Sequence, residues 1–196
     1  TGIPVLTDEW GLDAVYSGSQ KCLSCVPGLS PLTFSQKAIK KITSRGTKIQ
    51  SWFLDQTLVL DYWSGSGKRS YHHTAPVNSI YALHEALRLA CDETLENLWK
   101  RHLNAHLRLK KGLDKMSFEF VVDKDHRLPQ MNSIYIPKGY DDLEIRTKLL
   151  NDCNLEIGAG LGMFSGKIWR IGLMGFNANN DSVDYCLDSL KNVLNK

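Results

Sequence analysis

Residues 168–173 read Ile168-Trp169-Arg170-Ile171-Gly172-Leu173, and this mostly apolar run predicts a short strand within a sheet. Asn180 or Asp181 is predicted to start a helix a few residues later. The apolar positions of that helix recur at helical spacing, at Val183, Leu187, Leu190 and Leu194. A strand followed by an amphipathic helix is typical of folds in which helices pack on a sheet. This stretch therefore predicts an α/β fold.

The same alternation of strands and helices extends outward over the rest of the chain. Further strands are predicted at residues 12–17, 32–34, 118–122, 133–136 and 155–157. Further helices are predicted from the N-cap Ser35 to Ile42, as a buried helix over 52–63, and from Asp141 or Asp142 to Leu150. Two longer helices have apolar faces, one with Val77, Ile80, Tyr81, His84 and Leu87, the other with Leu95, Leu98, Trp99, Leu103, His106 and Leu113. Ser64-Gly65-Ser66-Gly67 predicts a loop.

The composition is that of a folded protein, with 42% hydrophobic residues and 23% charged residues over 196 positions. The net charge of +3 is spread along the chain, which does not favour a nucleic-acid partner. No apolar run is long enough to cross a membrane. Five cysteines without a regular pattern favour unbridged thiols in a reducing, intracellular compartment. The sequence does not choose among peroxisome, mitochondrion and cytoplasm.

Three short patterns resemble known sites, and each has a simpler explanation. Cys22 and Cys25 have the spacing of redox and zinc sites, but no second ligand pair accompanies them. His102 and His106 are four residues apart on a predicted helix, and without a third ligand they are interpreted as packing or surface residues. Gly158-Ala159-Gly160-Leu161-Gly162 resembles a phosphate loop but lacks the Lys-Ser/Thr pair. We expect its glycines to allow a close approach of the backbone to a neighbour or ligand.

Three positions carry side chains suited to chemistry on a small charged substrate. Lys21 follows a predicted strand and a small-residue turn, and lysine amines form Schiff bases. The segment Tyr71-His72-His73-Thr74 supplies hydroxyl and imidazole donors suited to a phosphate. Arg170 interrupts an apolar strand, and its guanidinium can bind a carboxylate with two hydrogen bonds. The alternative is that the alternation of the strand turns Arg170 to solvent.

Five segments together resemble the alanine–glyoxylate / serine–pyruvate aminotransferases, in the class V branch of the fold-type I pyridoxal-phosphate enzymes. They are Tyr16 through Lys21 with Pro27-Gly28, Tyr71 through Thr74, Arg127-Leu128-Pro129, Ile157 through Gly162, and Arg170 through Gly175. The resemblance implies the C-terminal part of a large cofactor-binding domain over residues 1–92. A small α/β sandwich domain would follow over residues 93–196.

The resemblance also implies roles for single residues. Lys21 would hold pyridoxal phosphate as a Schiff base, and its released amine would move a proton between the substrate Cα and the cofactor. Gln20 would lie near the cofactor phosphate. Tyr71 and Thr74 would reach that phosphate from the partner subunit of a homodimer. Arg170 would bind the substrate carboxylate while an amino group passes from alanine or serine to glyoxylate or pyruvate.

The sequence also departs from this family and leaves alternatives open. Family members carry a longer N-terminal region with a phosphate loop and an aspartate that pairs with the pyridinium nitrogen. Neither is present, so we expect a C-terminal portion that is a poor catalyst alone. Asp8-Glu9-Trp10 is similar to the insect 3-hydroxykynurenine transaminases of the same family, which gives one alternative. The other is a non-catalytic dimerisation or interaction fragment, and a redox or zinc module at Cys22 and Cys25 ranks last.

Overall fold

The computed structural model describes residues 2–63 and 70–194, and the loop predicted at Ser64-Gly65-Ser66-Gly67 lies outside them. The fold is mixed α/β, as the sequence predicts. It divides into two compact units, each built from separate stretches of chain. The larger unit comprises Thr1–Val5, Gln20–Cys25 and Glu85–Lys196, and the smaller unit comprises Leu6–Ser19 and Val26–His84. The predicted domain division between residues 92 and 93 stays a prediction.

The smaller unit contains an antiparallel strand pair followed directly by a capped helix. Strand β1 (Ala14–Tyr16) pairs with β2 (Leu32–Phe34). Ser35 Oγ then accepts a hydrogen bond from the Ala38 N–H at 3.1 Å. This bond satisfies one of the amide groups at the start of α1 (Gln36–Thr43). The predicted strands and the predicted Ser35 cap are confirmed.

The buried helix predicted at residues 52–63 is wrong in both its start and its burial. Helix α2 (Gln56–Trp63) begins four residues later and has no buried residue. Asp55 Oδ1 accepts a hydrogen bond from the Thr57 N–H at 3.0 Å, and this cap fixes where the helix begins. The indole of Trp52 precedes the helix and is 57% exposed. Apolar composition alone therefore predicted neither the helix start nor its surroundings.

Helix α3 (Val77–Glu93) begins directly after Pro76, at the first residue of the predicted apolar face. Its buried residues are Ala86 and Ala90. The apolar face predicted between Val77 and Leu87 is instead exposed over the structure described. The small alanines, which carry little weight in a hydrophobic pattern, are the positions that pack.

Three helices and a three-stranded sheet form most of the larger unit. The helices are α4 (Leu95–Lys115), α5 (Asp142–Cys153) and α6 (Asn180–Leu194). The strands are β3 (Met131–Tyr135), β4 (Gly158–Ala159) and β5 (Ile168–Gly172). Strand β5 lies between β3 and β4 and is antiparallel to both. One core cluster joins Trp169 and Ile171 of β5 to leucines of the three helices, such as Leu113, Leu149 and Leu190.

Apolar periodicity predicts α6 better than α4. The α6 residues Val183, Leu187, Leu190 and Leu194 are all buried, as predicted. On α4 the predicted Leu98, His106 and Leu113 are buried, whereas Leu95 and Leu103 are exposed. The α4 face that packs also includes His102, Ala105 and Leu109, so it is rotated from the predicted stripe.

Two predicted strands are wrong because helix ends occupy their first residues. The Phe118 N–H donates to the Leu113 carbonyl at 3.0 Å, and residues 118–122 contribute only a single bridge to β3. The Leu155 N–H donates to the Leu149 carbonyl at 3.0 Å, next to Asn154 in the left-handed region. Strand β4 therefore begins after residue 157 rather than at residue 155.

Over the two described ranges, no helix is both long and apolar enough to span a bilayer. The five cysteines, all within these ranges, are unbridged.

Candidate active site

Lys21 lies in a turn of the larger unit. The turn is closed by a hydrogen bond from the Ser24 N–H to the Lys21 carbonyl at 2.9 Å. The neighbouring Cys22 is buried, whereas the side chains of Lys21 and Gln20 are exposed. The Lys21 amine makes no ion pair or hydrogen bond with any other residue that the structure describes. The turn thus has a buried anchor beside an amine that is available to react.

Cys22, one of the two cysteines beside Lys21, is buried, which acts against redox or zinc chemistry at this pair. Cys22 and Cys25 are both unbridged. Burial raises the pKa of the Cys22 thiol, which disfavours the thiolate needed for nucleophilic or metal chemistry. Cys22 packs as a small apolar side chain and anchors the turn.

Arg170 lies on the central strand β5, between two positions with little or no side chain. Its cross-strand neighbours are Ser133 on β3 and Gly158 on β4. A Cβ added to Gly158 would lie 3.4 Å from Arg170 Nη2, so the guanidinium packs over the bare glycine backbone. Arg170 Nε donates to the Ala159 carbonyl at 2.7 Å, which fixes the plane of the guanidinium. Arg170 is half-buried, so neither full burial nor full exposure to solvent describes it.

Tyr71 and Thr74 lie in the smaller unit with their hydroxyl groups adjacent. Tyr71 Oη and Thr74 Oγ1 are 2.5 Å apart. Between them in the chain, the buried His72 stacks on Trp52, with the ring centroids 4.1 Å apart. His72 Nε2 also lies 3.1 Å from the Trp52 carbonyl. These contacts hold the segment with one of the two hydroxyls donating to the other, which leaves the hydrogen of the second hydroxyl for an oxyanion.

The glycine-rich segment after α5 is explained by packing. A Cβ added to Gly160 would lie 2.0 Å from the Phe164 carbonyl oxygen, which no side chain could tolerate. Gly158 gives room to Arg170, as described above. The expected close approach is confirmed for Gly158 and Gly160, whereas a Cβ added to Gly162 would meet nothing within 4 Å.

His102 and His106, both on α4, form hydrogen bonds with different partners. His102 Nδ1 lies 2.7 Å from the Leu98 carbonyl, and His106 Nδ1 lies 2.6 Å from Asn132 Oδ1. In residues 2–63 and 70–194, no group of three or more His, Cys, Asp or Glu side chains could hold a metal ion. Both histidines are buried, so they pack in the interior rather than on the helix surface.

Sequence reasoning missed an arginine that connects several parts of the larger unit. Arg101 pairs with Glu93 through Nε and Nη2, at 2.6 and 2.8 Å. Its Nη1 donates to the carbonyls of Gly175 at 2.6 Å and Ala178 at 3.0 Å. The hydrogen bond from Arg101 holds the pKa of the Glu93 carboxyl below its usual value. No pattern pointed to this cluster, because Glu93 and Arg101 are separated by the break between two helices.

The structure places the predicted residues in two groups. Gln20, Lys21 and Arg170 belong to the larger unit, and Tyr71 and Thr74 belong to the smaller. A cavity of about 410 Å³ in the larger unit has Cys22, Ser24 and Arg101 in its wall. Neither Lys21 nor Arg170 lines this cavity, so it is not the candidate site.

The family profile and the related sequences that match this chain all name aminotransferases or transaminases. The profile of the aminotransferase class-V family matches residues 1–181. Alanine–glyoxylate aminotransferase of Rattus norvegicus is 40% identical over 195 residues, which are 98% of this chain and 47% of the relative. (S)-Ureidoglycine–glyoxylate transaminase of Bacillus subtilis is 34% identical, over 98% of this chain and 50% of the relative.

Solved structures agree with this comparison. The crystal structure of alanine–glyoxylate aminotransferase from Nostoc sp. is 46% identical and superposes with a TM-score of 0.94, covering 98% of this chain and 51% of that one. Ureidoglycine–glyoxylate aminotransferase from Bacillus subtilis is 36% identical with a TM-score of 0.94, covering 98% of this chain and 49% of that one. The chain spans about half the length of the relatives it matches.

Proposed function

The chain belongs to the aminotransferase class-V family, and from this premise we propose that it contributes to a pyridoxal-phosphate-dependent transaminase. The reaction would move an amino group from alanine or serine to glyoxylate or pyruvate. The observation that carries the proposal is Arg170, a half-buried guanidinium between Ser133 and Gly158 in the same compact unit as the available Lys21 amine. The division at residues 92 and 93 is part of the proposal.

The described residues fit the cofactor. The exposed Lys21 amine would hold pyridoxal phosphate covalently, and no carboxylate of the described chain pairs with it. When bound, the cofactor supplies an electron sink for the charge left at the substrate Cα. Lys21 Nζ, once released, would take the proton from the substrate Cα and deliver it to the cofactor during the transfer. An amine on a turn anchored by the buried Cys22 can do this without leaving its position.

Arg170 would bind and orient the substrate. Its Nε bond to Ala159 leaves the two Nη groups without a partner among the residues described, and these can meet a carboxylate. Two parallel hydrogen bonds fix the orientation of a carboxylate as well as its position. Holding the carboxylate on β5 would determine which substrate atom faces Lys21.

Gln20, Tyr71 and Thr74 would bind the cofactor phosphate. The hydrogen bond between the Tyr71 and Thr74 hydroxyls, 2.5 Å apart, supports a common anion site, to which both would donate once an anion replaces their mutual bond. In this proposal Gln20 lies near the phosphate, while Tyr71 and Thr74 reach that phosphate from the partner subunit of a homodimer.

Glyoxylate is the better supported amino acceptor. Two of the relatives, which differ in the amino donor named, both have glyoxylate in their names. No contact in the described structure favours the hydroxykynurenine transaminase or the non-catalytic interaction fragment over this proposal.

Cofactor attachment tests the proposal directly. Purified chain is mixed with pyridoxal phosphate, the absorbance of the bound cofactor is recorded, and borohydride reduction followed by mass spectrometry locates it. Attachment at Lys21 that Lys21→Ala abolishes is the expected result. Lys148→Ala is the matched control, because Lys148 forms only an exposed pair with Glu144. Equal attachment in wild type and Lys21→Ala would refute the role of Lys21.

A further inference from the structure

Ser24 joins the turn of Lys21 to the loop that follows the strand of Arg170. Its backbone closes the Lys21 turn, as described above. Ser24 Oγ accepts a hydrogen bond from the Phe176 N–H at 2.6 Å. A Cβ added to Gly175 would lie 1.8 Å from the same oxygen, so the Ser24 side chain packs directly on the bare backbone of Gly175. The Lys21 turn is therefore fixed to a loop that begins only a few residues after Arg170.

Two consecutive residues of α4 hold that loop in place. The Gly175 N–H donates to His102 Nε2 at 3.1 Å. The Gly175 carbonyl accepts from Arg101 Nη1 at 2.6 Å. Arg101 is itself oriented by its two bonds to Glu93. Both polar groups of the Gly175 backbone are thus bound by α4 side chains.

The partners of His102 determine its protonation state. The Leu98 carbonyl can only accept, so His102 Nδ1 carries a proton. His102 Nε2 must then lack a proton in order to accept from the Gly175 N–H. Burial lowers the pKa of His102, which agrees with a neutral ring. His102 therefore holds the loop only as the neutral tautomer protonated at Nδ1.

We propose that Ser24, Arg101 and His102 are positioning residues, which set the separation between the Lys21 amine and the Arg170 guanidinium. This inference rests on the proposed function. The transfer requires the substrate Cα to meet Lys21 Nζ while Arg170 holds the carboxylate. A misplacement of about 1 Å can slow such a step on the order of a hundredfold. The contacts from the Lys21 turn through Ser24 to Gly175 connect α4 to both the Lys21 amine and the Arg170 guanidinium.

Variants of Ser24 and Arg101 test this role against matched controls. Ser24→Ala removes the acceptor, and its control is Ser165→Ala, an exposed serine of the same unit. Ser24→Asn restores an acceptor and tolerates the positive φ of 55° at this position. Arg101→Gln has Arg108→Gln as its control, because Arg108 also pairs bidentately with a carboxylate, that of Asp184, and does not contact Gly175.

Three measurements separate a positioning role from a general loss of structure. Borohydride trapping reports cofactor attachment at Lys21. Deuterium incorporation at Cα of L-alanine in D₂O gives kcat and KM for the proton step. Amide hydrogen exchange of the cofactor-free chain reports on residues 21–25 and 173–178. We expect Ser24→Ala and Arg101→Gln to keep attachment, to lower kcat on the order of tenfold to a hundredfold, and to speed exchange in both segments. Ser24→Asn should recover most of the kcat.

Each other outcome is decisive. If the wild type attaches the cofactor and exchanges the alanine proton, and both variants do so at the wild-type rate, the positioning role is refuted and the proposed function stands. The positioning role is also refuted if the control variants lose as much kcat as Ser24→Ala and Arg101→Gln. If the wild type attaches the cofactor but exchanges no alanine proton, amide exchange decides, and unchanged exchange in both variants refutes the positioning role. If the wild type attaches no cofactor at Lys21, the proposed function fails and the positioning role fails with it.

Discussion

Gly112 on α4 packs directly against Leu187 on α6. Replacing Gly112 with alanine should lower the free energy of unfolding when residue 187 is leucine and raise it when residue 187 is alanine. A Cβ at position 112 would lie 2.2 Å from Leu187 Cδ1 and 2.9 Å from Leu187 Cγ. Leu187 is only 7% exposed, so its side chain has little room to move. Alanine would raise helix propensity by about 1 kcal/mol. Overpacking a dense core costs about 1–3 kcal/mol. We expect Gly112→Ala to lower the free energy of unfolding by about 1 kcal/mol.

Leu187→Ala reverses this expectation. Alone it should lower the free energy of unfolding by about 2–5 kcal/mol, because it leaves a cavity. It also removes the atoms that clash with a new Cβ at position 112. In the Leu187→Ala background, Gly112→Ala should therefore raise the free energy of unfolding by about 1 kcal/mol, the propensity gain alone.

Urea unfolding of the four proteins measures this coupling as a double-mutant cycle. Asn104→Ala, at an exposed position of the same helix, is the control and should stabilise both backgrounds by the same amount. The reasoning fails if Gly112→Ala stabilises the wild type, or if it has the same effect in both backgrounds.

Three further predictions concern single side chains of the larger unit. Burial lowers the pKa of His102 below 6.5, so in this range the unfolded state binds more protons. The free energy of unfolding should therefore fall as the pH drops below about 6.5, by at most ~1.4 kcal/mol per pH unit, and His102→Gln should remove this slope in urea unfolding. Gly158→Val should crowd Arg170 and raise the Kd for alanine about tenfold, measured by titration of the cofactor-loaded protein. Burial raises the pKa of Cys186 to about 12, so iodoacetamide should alkylate the exposed Cys91 first, as read by mass spectrometry.

Each of these three results has an outcome that contradicts it. A slope near pH 6 that persists in His102→Gln would mean that another group titrates there. Carboxyls such as Glu93, whose pKa is lowered, stabilise the fold above about pH 4.5 and lose that contribution only as the pH falls further. An unchanged Kd in Gly158→Val would show that the guanidinium does not need the bare backbone. Equal alkylation of Cys186 and Cys91 in the folded protein would contradict the burial argument.

The sequence predicted correctly those helices whose caps and buried faces are set by residues close together in the chain. Ser35 caps α1, and the leucine spacing of α6 matches its buried face, because both depend on residues within one or two turns. Helix ends were less predictable. Leu155 is apolar and follows a helix, but its N–H closes that helix instead of starting a strand. The phase of α4 was missed because partners distant in sequence, such as Gly175 for His102, decide which face is buried.

The candidate site shows the same limit more sharply. Lys21 and Arg170 were proposed from the sequence because an amine and a guanidinium each have a characteristic chemistry. Arg101 could not be found, because a basic residue on a helix is usually solvated and its partner Gly175 lies 74 residues away. Residues that touch a reacting group are thus easier to predict than those that hold it in place.

The surroundings of Arg170 show that small residues help to determine how its guanidinium is placed. On the β4 side, the neighbour of the Arg170 guanidinium is Gly158, which has no side chain to cover it. A Cβ at this position would already lie 3.4 Å from Nη2. Ala159 supplies the carbonyl that fixes Nε at 2.7 Å. A larger residue at 158 would leave Arg170 in the sequence but turn its Nη groups away from a carboxylate. In the proposed carboxylate site the arginine would therefore not suffice by itself, and the bare backbone beside it is the feature that leaves room for its Nη groups.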